Sequence, residues 1–329
     1  LIMVKDNHIA VARFSALGDV FMLFSVLEDA TFQDSSVSFT LFTRPHIASL
    51  LPAVKGVRVI GLDISGDYKS WINQLSFYWG WYRSNTPKFV FDAHSHLRTV
   101  VFYFLAFLMG YRVKRLPKNR GIRRAFLKKN IKSLPSIQSE ISQVLESFGV
   151  KYRTKMFALK PRDNSFLGEK NTWIICPFAS KKTKNWPLDK AIKVIDEILN
   201  EGNSIIVFGS KKELENWNYF PARLTLSLNM EMREKDMWLR AKGAIVCDSA
   251  NQHIAASYNV LSVVLWMGTS PKAGFKALNN NSGSIDVEYD GLECRPCSIS
   301  GVNYCSRKDF ACKNIPTEKI LSAVKDLSK

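Results

Sequence analysis

Several signatures are missing from this sequence, and each absence removes a class of chemistry. No G-x-G-x-x-G follows the first strand-like run, and no G-x-x-x-x-G-K-[ST] occurs, which disfavours a dinucleotide-dependent dehydrogenase and a P-loop NTPase. No G-x-S-x-G nucleophile elbow is present either. The opening "LIMVKDNHIAVARF" lacks a cationic leader with a long apolar core and a small-residue cleavage site. The longest apolar run, "VVFYFLAFLMGY" at 100–111, is too short to span a bilayer. The expectation is a cytoplasmic chain with a buried helix at 100–111. Acidic residues are scarce as well: 29 Asp/Glu stand against 46 Lys/Arg, a formal charge of +17.

That imbalance is lopsided. Residues 1–160 carry 23 Lys/Arg and 10 Asp/Glu, or +13, whereas residues 161–329 carry +4. A basic half points to an anionic partner: nucleic acid, an acidic membrane surface or a phosphorylated substrate. The six cysteines are uneven too. Cys176 and Cys247 sit in apolar runs and read as small buried hydrophobes. Cys294, Cys297, Cys305 and Cys312 cluster, opening with C-x2-C. They suit either a structural zinc or four free thiols, and disulfides suit a reducing cytosol poorly.

Strand-like runs alternate with helical patterns along the whole chain, the signature of an α/β fold. The first half offers strands at 8–13, 37–42, 57–60 and 89–92, with helices at 19–30, 44–51, 68–81 and 97–109. The second half restarts with a strand at 172–178 and a helix at 187–202 that has Pro at its first turn and Gly at its end. Further strands follow at 204–210, near Leu224, at 244–249 and at 262–268, with helices from Lys211, over 232–243 and over 251–260. Periodicity lapses over 151–171, so the expected domains are 1–160 and 161–329, each a doubly wound Rossmann-like sheet.

Ligands of open α/β sheets bind at the carboxyl ends of strands, and unusual residues stand there at four places. Gly18-Asp19 follows the first strand. "PFASKKTKNWP" (177–187) puts Ser180, Thr183 and Lys184 just before a helix, either a phosphate site or a solvated lysine-rich loop. "FGSKKELE" (208–215) contributes Glu213 and Glu215, and "CDSANQH" (247–253) contributes Asp248, Ser249 and His253 around a helix start. His94 and His96, with no further ligands nearby in sequence, read as cleft or core residues.

These four stations, in this order, resemble glycosyltransferase family 9, the ADP-heptose:lipopolysaccharide heptosyltransferases. "RFSALGDV" resembles that family's opening motif and "FDAHSHLRT" its second. "PFASKKTKNWP" is similar to its donor-phosphate loop, "DSANQHIAA" to its Asp-Ser/Thr-Gly-x-x-His signature, and "CRPC" recurs in many members. The resemblance implies a GT-B fold: two Rossmann-like domains facing across a cleft, acceptor on the N-terminal one and nucleotide-sugar on the C-terminal one. It implies inverting transfer from an ADP-sugar to a lipopolysaccharide inner-core acceptor of a Gram-negative bacterium, with no catalytic metal.

Carried over by position, Asp19 is the general base. Ser180 and Lys184 hold the donor phosphates; Asp248, Ser249, Ala250 and His253 lie at the diphosphate end; Glu213 or Glu215 meets the ribose, and Met230 lines the adenine pocket. Ala250 replaces the family's Gly, a departure that bears on the donor sugar more than on transfer itself. Gly18 and Arg98 are expected at the acceptor. So are Arg120, Arg123 and Arg124, from a stretch at 112–132 with ten Lys/Arg and no acid that suits the acceptor's phosphates and the inner leaflet. Two alternatives stand beside this reading. One is a same-fold enzyme with another nucleotide-sugar. The other is a nucleic-acid-binding protein, against which the aromatics lie in apolar runs and not among the basic residues.

Overall fold

The computed structural model describes residues 7–150, 171–228, 234–277 and 284–327. The expected boundary at 151–171 therefore falls almost wholly outside the described residues, as does Met230. The chain divides into two compact units, Leu1–Asn119 with Pro135–Leu159, and Arg120–Leu134 with Lys160–Lys329.

In the first unit, β1 (Asn7–Ala12), β2 (Val37–Thr43), β3 (Val57–Gly61), β4 (Phe89–Asp92) and β5 (Arg112–Arg115) form one sheet in the order β3-β2-β1-β4-β5. Every pairing is parallel. A parallel sheet is covered on both faces, so its central strands read as continuous apolar runs. Ile9, Ala10, Val11 and Ala12 of β1 are accordingly all fully buried. Helices α1 (Leu17–Gln33), α2 (Pro45–Leu50), α3 (Trp71–Asn85) and α4 (Val100–Leu108) connect the strands. The helix expected from Leu97 begins as a 3-10 turn, Leu97–Thr99, before α4. Beneath α3 and α4 lies an aromatic core in which Phe42 meets Tyr78, Trp81 and Phe102 edge to face at 5.0–5.7 Å.

The segment 120–134, expected in the N-terminal domain, belongs to the second unit. Its helix α5 (Arg120–Leu127) is tied there by specific contacts. Leu134 N–H donates to the Lys272 carbonyl at 2.9 Å, Lys129 Nζ to the Glu293 carbonyl at 2.5 Å, and the Arg123 guanidinium lies 6.0 Å from the Phe275 ring. The chain then returns to the first unit with α6 (Ile137–Glu146), capped by the Ser136 hydroxyl, which accepts from Ser139 N–H at 3.0 Å.

The second unit repeats the architecture with six parallel strands: β6 (Thr172–Cys176), β7 (Ser204–Gly209), β8 (Leu224–Leu228), β9 (Ala241–Cys247), β10 (Ser262–Trp266) and β11 (Ile285–Glu288). Their order is β11-β10-β9-β6-β7-β8. The connecting helices are α7 (Leu188–Asn200), α8 (Lys211–Leu214), α9 (Glu234–Arg240) and α10 (Ala250–Ser257), with α11 (Thr317–Leu327) closing the chain. β9 starts three residues before its expected beginning, and within it Gly243 lies against the Trp173 ring on the neighbouring strand, where a Cβ would sit 2.7 Å from that ring. Strand order reverses between β1 and β4 in one unit and between β6 and β9 in the other, and each reversal opens a crevice at the strands' carboxyl ends.

Candidate active site

The first crevice is built from the residues that leave β1 and β4. Asp19 is the third residue of α1, and its Oδ2 accepts from the N–H of Ala16, the helix N-cap, at 3.2 Å. The same oxygen is paired with Arg13 Nη2 at 2.6 Å. Arg13 in turn donates through Nη1 to the Ala93 carbonyl just after β4, so a single guanidinium ties both strand ends to the carboxylate. Asp92 closes the β4 turn: its Oδ1 accepts from His94 and Ser95 N–H, and its Oδ2 pairs with Arg115 Nε at 2.8 Å.

His94 reads across this crevice. Phe14 N–H donates to its Nδ1 at 3.4 Å, which leaves the proton on Nε2 to be donated to Ser15 Oγ at 3.2 Å. Burial, then the positive charge of Arg13, holds the imidazole pKa down at about 4, so the ring is neutral at pH 7. His96 stacks on it at 5.5 Å. Arg98 Nη1 also donates to Ser15 Oγ, at 3.0 Å. With two donors already aimed at its oxygen, the Ser15 hydroxyl keeps its own proton as a donor to a third group. Arg98 also lines a cavity of about 290 Å³ with Arg44, Ile64, Ser65, Lys69 and Gln74, which collects three cations in one recess. Gly18 is the second residue of α1, adjoining this network.

The second crevice holds a buried ion pair. Lys184, on the 3-10 turn Lys182–Lys184 after β6, places Nζ 3.2 Å from Asp248 Oδ2 after β9. Both side chains are about nine-tenths buried, at 11% and 7% exposure. Asp248 also accepts from Thr269 Oγ1 at 2.7 Å and from Gln252 Nε2 at 2.9 Å. The Ser300 carbonyl accepts from Lys184 Nζ at 3.4 Å. Ser249 caps α10, accepting from Asn251 N–H at 3.3 Å, and Ala250 is that helix's first residue. Ala250 has no positive φ, so the Gly-to-Ala departure strains nothing in this backbone. His253 lies buried one turn further along α10.

The remaining expected residues are placed less centrally. Ser180 is exposed on the Lys184 loop. Glu213 follows β7 and is engaged in a capping box, accepting from Ser210 N–H at 2.8 Å and Ser210 Oγ at 2.7 Å; Glu215 is exposed. Arg120, Arg123 and Arg124, expected on the acceptor domain, lie on α5 in the second unit, for the anchoring contacts given above. The cysteine loop is strapped to the Lys184 turn: Thr183 and Val302 exchange backbone and hydroxyl hydrogen bonds at 2.8–3.1 Å, and Cys297 N–H donates to Gly268 at 2.9 Å. All six cysteines are free. Burial and the neighbouring thiols push Cys312 up to about 11 and raise Cys297. Among the described residues no three His, Cys, Asp or Glu side chains converge as metal ligands. Sequence reasoning did not single out Arg13, Ser15, Gln252 or Thr269; Arg13, directly after β1, and Thr269, three residues past the end of β10, could have been found as polar residues at the carboxyl ends of strands.

The sequence profile of glycosyltransferase family 9 (heptosyltransferase) matches residues 123–300. No curated protein matches the sequence. By fold the chain is similar to a family 9 glycosyl transferase from Veillonella parvula, at 15% identity and TM-score 0.71 over 98% of this chain and 97% of that one. It is similar to E. coli ADP-heptose LPS heptosyltransferase II, at 15% identity and TM-score 0.66 over 98% of both chains. It is also similar to E. coli heptosyltransferase WaaC with ADP, at 14% identity and TM-score 0.66 over 97% and 99%. The fold is thus the α/β GT-B class that the sequence led us to expect.

Proposed function

This chain belongs to glycosyltransferase family 9, and on that premise we propose that it is an inverting heptosyltransferase. It moves a heptose or related sugar from an ADP-sugar to the inner core of lipopolysaccharide. The E. coli structures named for ADP-heptose and ADP support the donor class. The observation that carries the reading is that each sheet reversal presents the group that one half of such a reaction needs. The first holds a carboxylate paired with a guanidinium, and the second holds a buried ammonium.

In the proposed reaction an acceptor hydroxyl oxygen attacks the anomeric carbon as the bond from that carbon to the diphosphate breaks. The hydroxyl proton passes to the Asp19 carboxylate, and the electron pair leaves with ADP. Arg13 and Ala16 N–H hold one carboxylate oxygen in a fixed place, which favours transfer by positioning. Lys184 balances charge on the departing diphosphate, aided by the capped start of α10 with Ser249, Ala250 and His253. Ser180, Glu213 and Met230 contact the donor in this reading, Met230 lying outside the described residues. Gly18, Arg98 and the cation-lined recess beside it meet an anionic acceptor.

Calorimetry of ADP-, UDP- and GDP-sugars tests the donor half. Selective ADP-sugar binding is expected, weakened at least roughly tenfold in Lys184→Ala, since a charge-assisted contact is lost. Preference for another nucleotide would shift the reading to a same-fold transferase with that donor, and binding of none would sink it.

Cys294, Cys297, Cys305 and Cys312 have the donor chemistry of a structural zinc but do not converge as ligands in this structure, so our proposal is that a zinc ion would draw the four thiolates together, with no part in the reaction. Metal content of the purified chain decides it. One zinc per chain is expected, and four titratable thiols without metal refute it.

A further inference from the structure

We propose that the loop 297–303 aims the Lys184 ammonium at the donor, with Gly301 and Thr183 as its positioning residues, an inference that rests on the nucleotide-sugar reading of Lys184. Every group involved lies in the second unit. The loop is anchored to the Lys184 turn at both ends. At its start, Cys297 N–H donates to the Gly268 carbonyl and Gly268 N–H donates to the Thr183 carbonyl, both at 2.9 Å. Gly268 allows that approach, since a Cβ there would lie 2.7 Å from Thr183 Cβ. At its end, Thr183 N–H donates to the Val302 carbonyl at 3.1 Å. The Thr183 hydroxyl donates to the same carbonyl at 2.8 Å and accepts from Val302 N–H at 2.9 Å. Asn303 Oδ1 accepts from Lys182 N–H at 3.2 Å. Thr183 is fully buried, so its hydroxyl serves the loop and not a ligand.

Between these anchors the loop folds over the stem of Lys184. Ser298 Oγ accepts from Gly301 N–H at 2.7 Å and closes the turn. A Cβ on Gly301 would lie 2.9 Å from Lys184 Cγ and would overlap Cδ, and the φ of +88° there favours glycine as well. A free lysine stem samples many rotamers, and this wall removes them before any ligand arrives. The head is aimed too. An ammonium has three N–H donors. One goes to the Ser300 carbonyl at 3.4 Å and one to Asp248 Oδ2 at 3.2 Å. The direction of the third is fixed by the other two, and it is the one available to a phosphate oxygen. Asp248 is held from the base of the same loop: the Arg295 guanidinium donates to the Thr269 carbonyl at 2.7 Å, and Thr269 Oγ1 donates to Asp248 Oδ2 at 2.7 Å.

Calorimetry of ADP binding to a double-mutant cycle tests the proposal. Gly301→Ala is expected to weaken ADP binding about fivefold in the parent and to change nothing in Lys184→Ala, where there is no stem to displace. Thr183→Val is expected to weaken it about threefold, again only with Lys184 present, and Thr183→Ser to restore the parent affinity. Adenosine, which carries no phosphate, should bind every variant alike. A merely structural loop would lower melting temperatures and affect both ligands, with or without Lys184. Where Gly301→Ala does not fold, the two Thr183 variants decide. ADP affinities equal to the parent's overturn the proposal, and so do losses that are the same without Lys184 or are shared by adenosine. A parent that binds no ADP removes the donor reading itself. A parent that binds ADP, beside variants uncoupled from Lys184, leaves that reading standing and refutes the positioning role alone.

Discussion

Asp19→Asn is expected to lower turnover about a thousandfold while leaving ADP-sugar affinity within a factor of about two, the size of effect a positioned general base contributes. The substitution is nearly isosteric. An amide oxygen can still accept from Ala16 N–H, which reaches Asp19 Oδ2 at 3.2 Å, so the start of α1 stays closed. What is lost is the capacity to take a proton and the counter-charge of Arg13, whose side chain is 12% exposed. Removing one partner of such a pair costs on the order of 1–3 kcal/mol of stability, so thermal unfolding must be measured alongside turnover. Steady-state rates at saturating donor, with donor affinity measured separately by calorimetry, separate the chemical step from binding. Turnover within tenfold of the parent would remove Asp19 as the base and turn attention to the Ser15–His94 pair. His94 makes an acid-side control: its ring stays neutral down to about pH 4, so it gains no charge between pH 5 and 8. A rate change across that range then cannot be assigned to it.

The sequence showed the elements whose physics is local and hid those set by distant packing. β1 and β4 were visible because a covered parallel strand must be apolar throughout. β5 was not, since "RVKR" is a four-residue edge strand in which three residues are charged, and nothing in such a run separates it from a loop. The stretch 120–134 looked continuous with the basic region before it, and only its contacts to Lys272, Phe275 and Glu293 assign it to the second unit. For Asp19 the choice between cap and base dissolved, because the oxygen that meets Ala16 N–H also meets Arg13. Lys184 and Asp248 each stood out at a strand end, but their pairing did not. It arises because β6 and β9 are neighbours in the sheet though not in the chain. Gly301 shows the same limit. Its φ of +88° and the closeness of the Lys184 side chain exclude a Cβ there, yet "SGVN" on its own signals only a turn.

Asp248→Ala is expected to destabilise the second unit by about 3–5 kcal/mol, because it leaves a buried ammonium without its counter-charge. Thr269 Oγ1 and Gln252 Nε2 lose their acceptor in the same step. For a unit of this size that is a fall of roughly 10 °C in melting temperature. Removing Lys184 as well should restore part of the loss, since an apolar gap costs less than an unpaired charge. Asp248→Asn is the sharper probe. It keeps a hydrogen-bonding group of the same shape but leaves Lys184 with a whole unbalanced charge. If Lys184 exists to meet the donor diphosphate, ADP should raise the melting temperature of Asp248→Asn by more than it raises that of the parent. In the parent the incoming phosphates meet an ammonium already neutralised by Asp248. In the variant they supply the missing anion, and binding to the folded state alone converts that gain into stability. An equal ADP shift in both proteins would show that the pair serves only the fold. A smaller shift in the variant would place Asp248 itself against the donor. A larger shift is the outcome that makes Asp248 the stand-in for phosphate while the site is empty, and Lys184 the group that receives it.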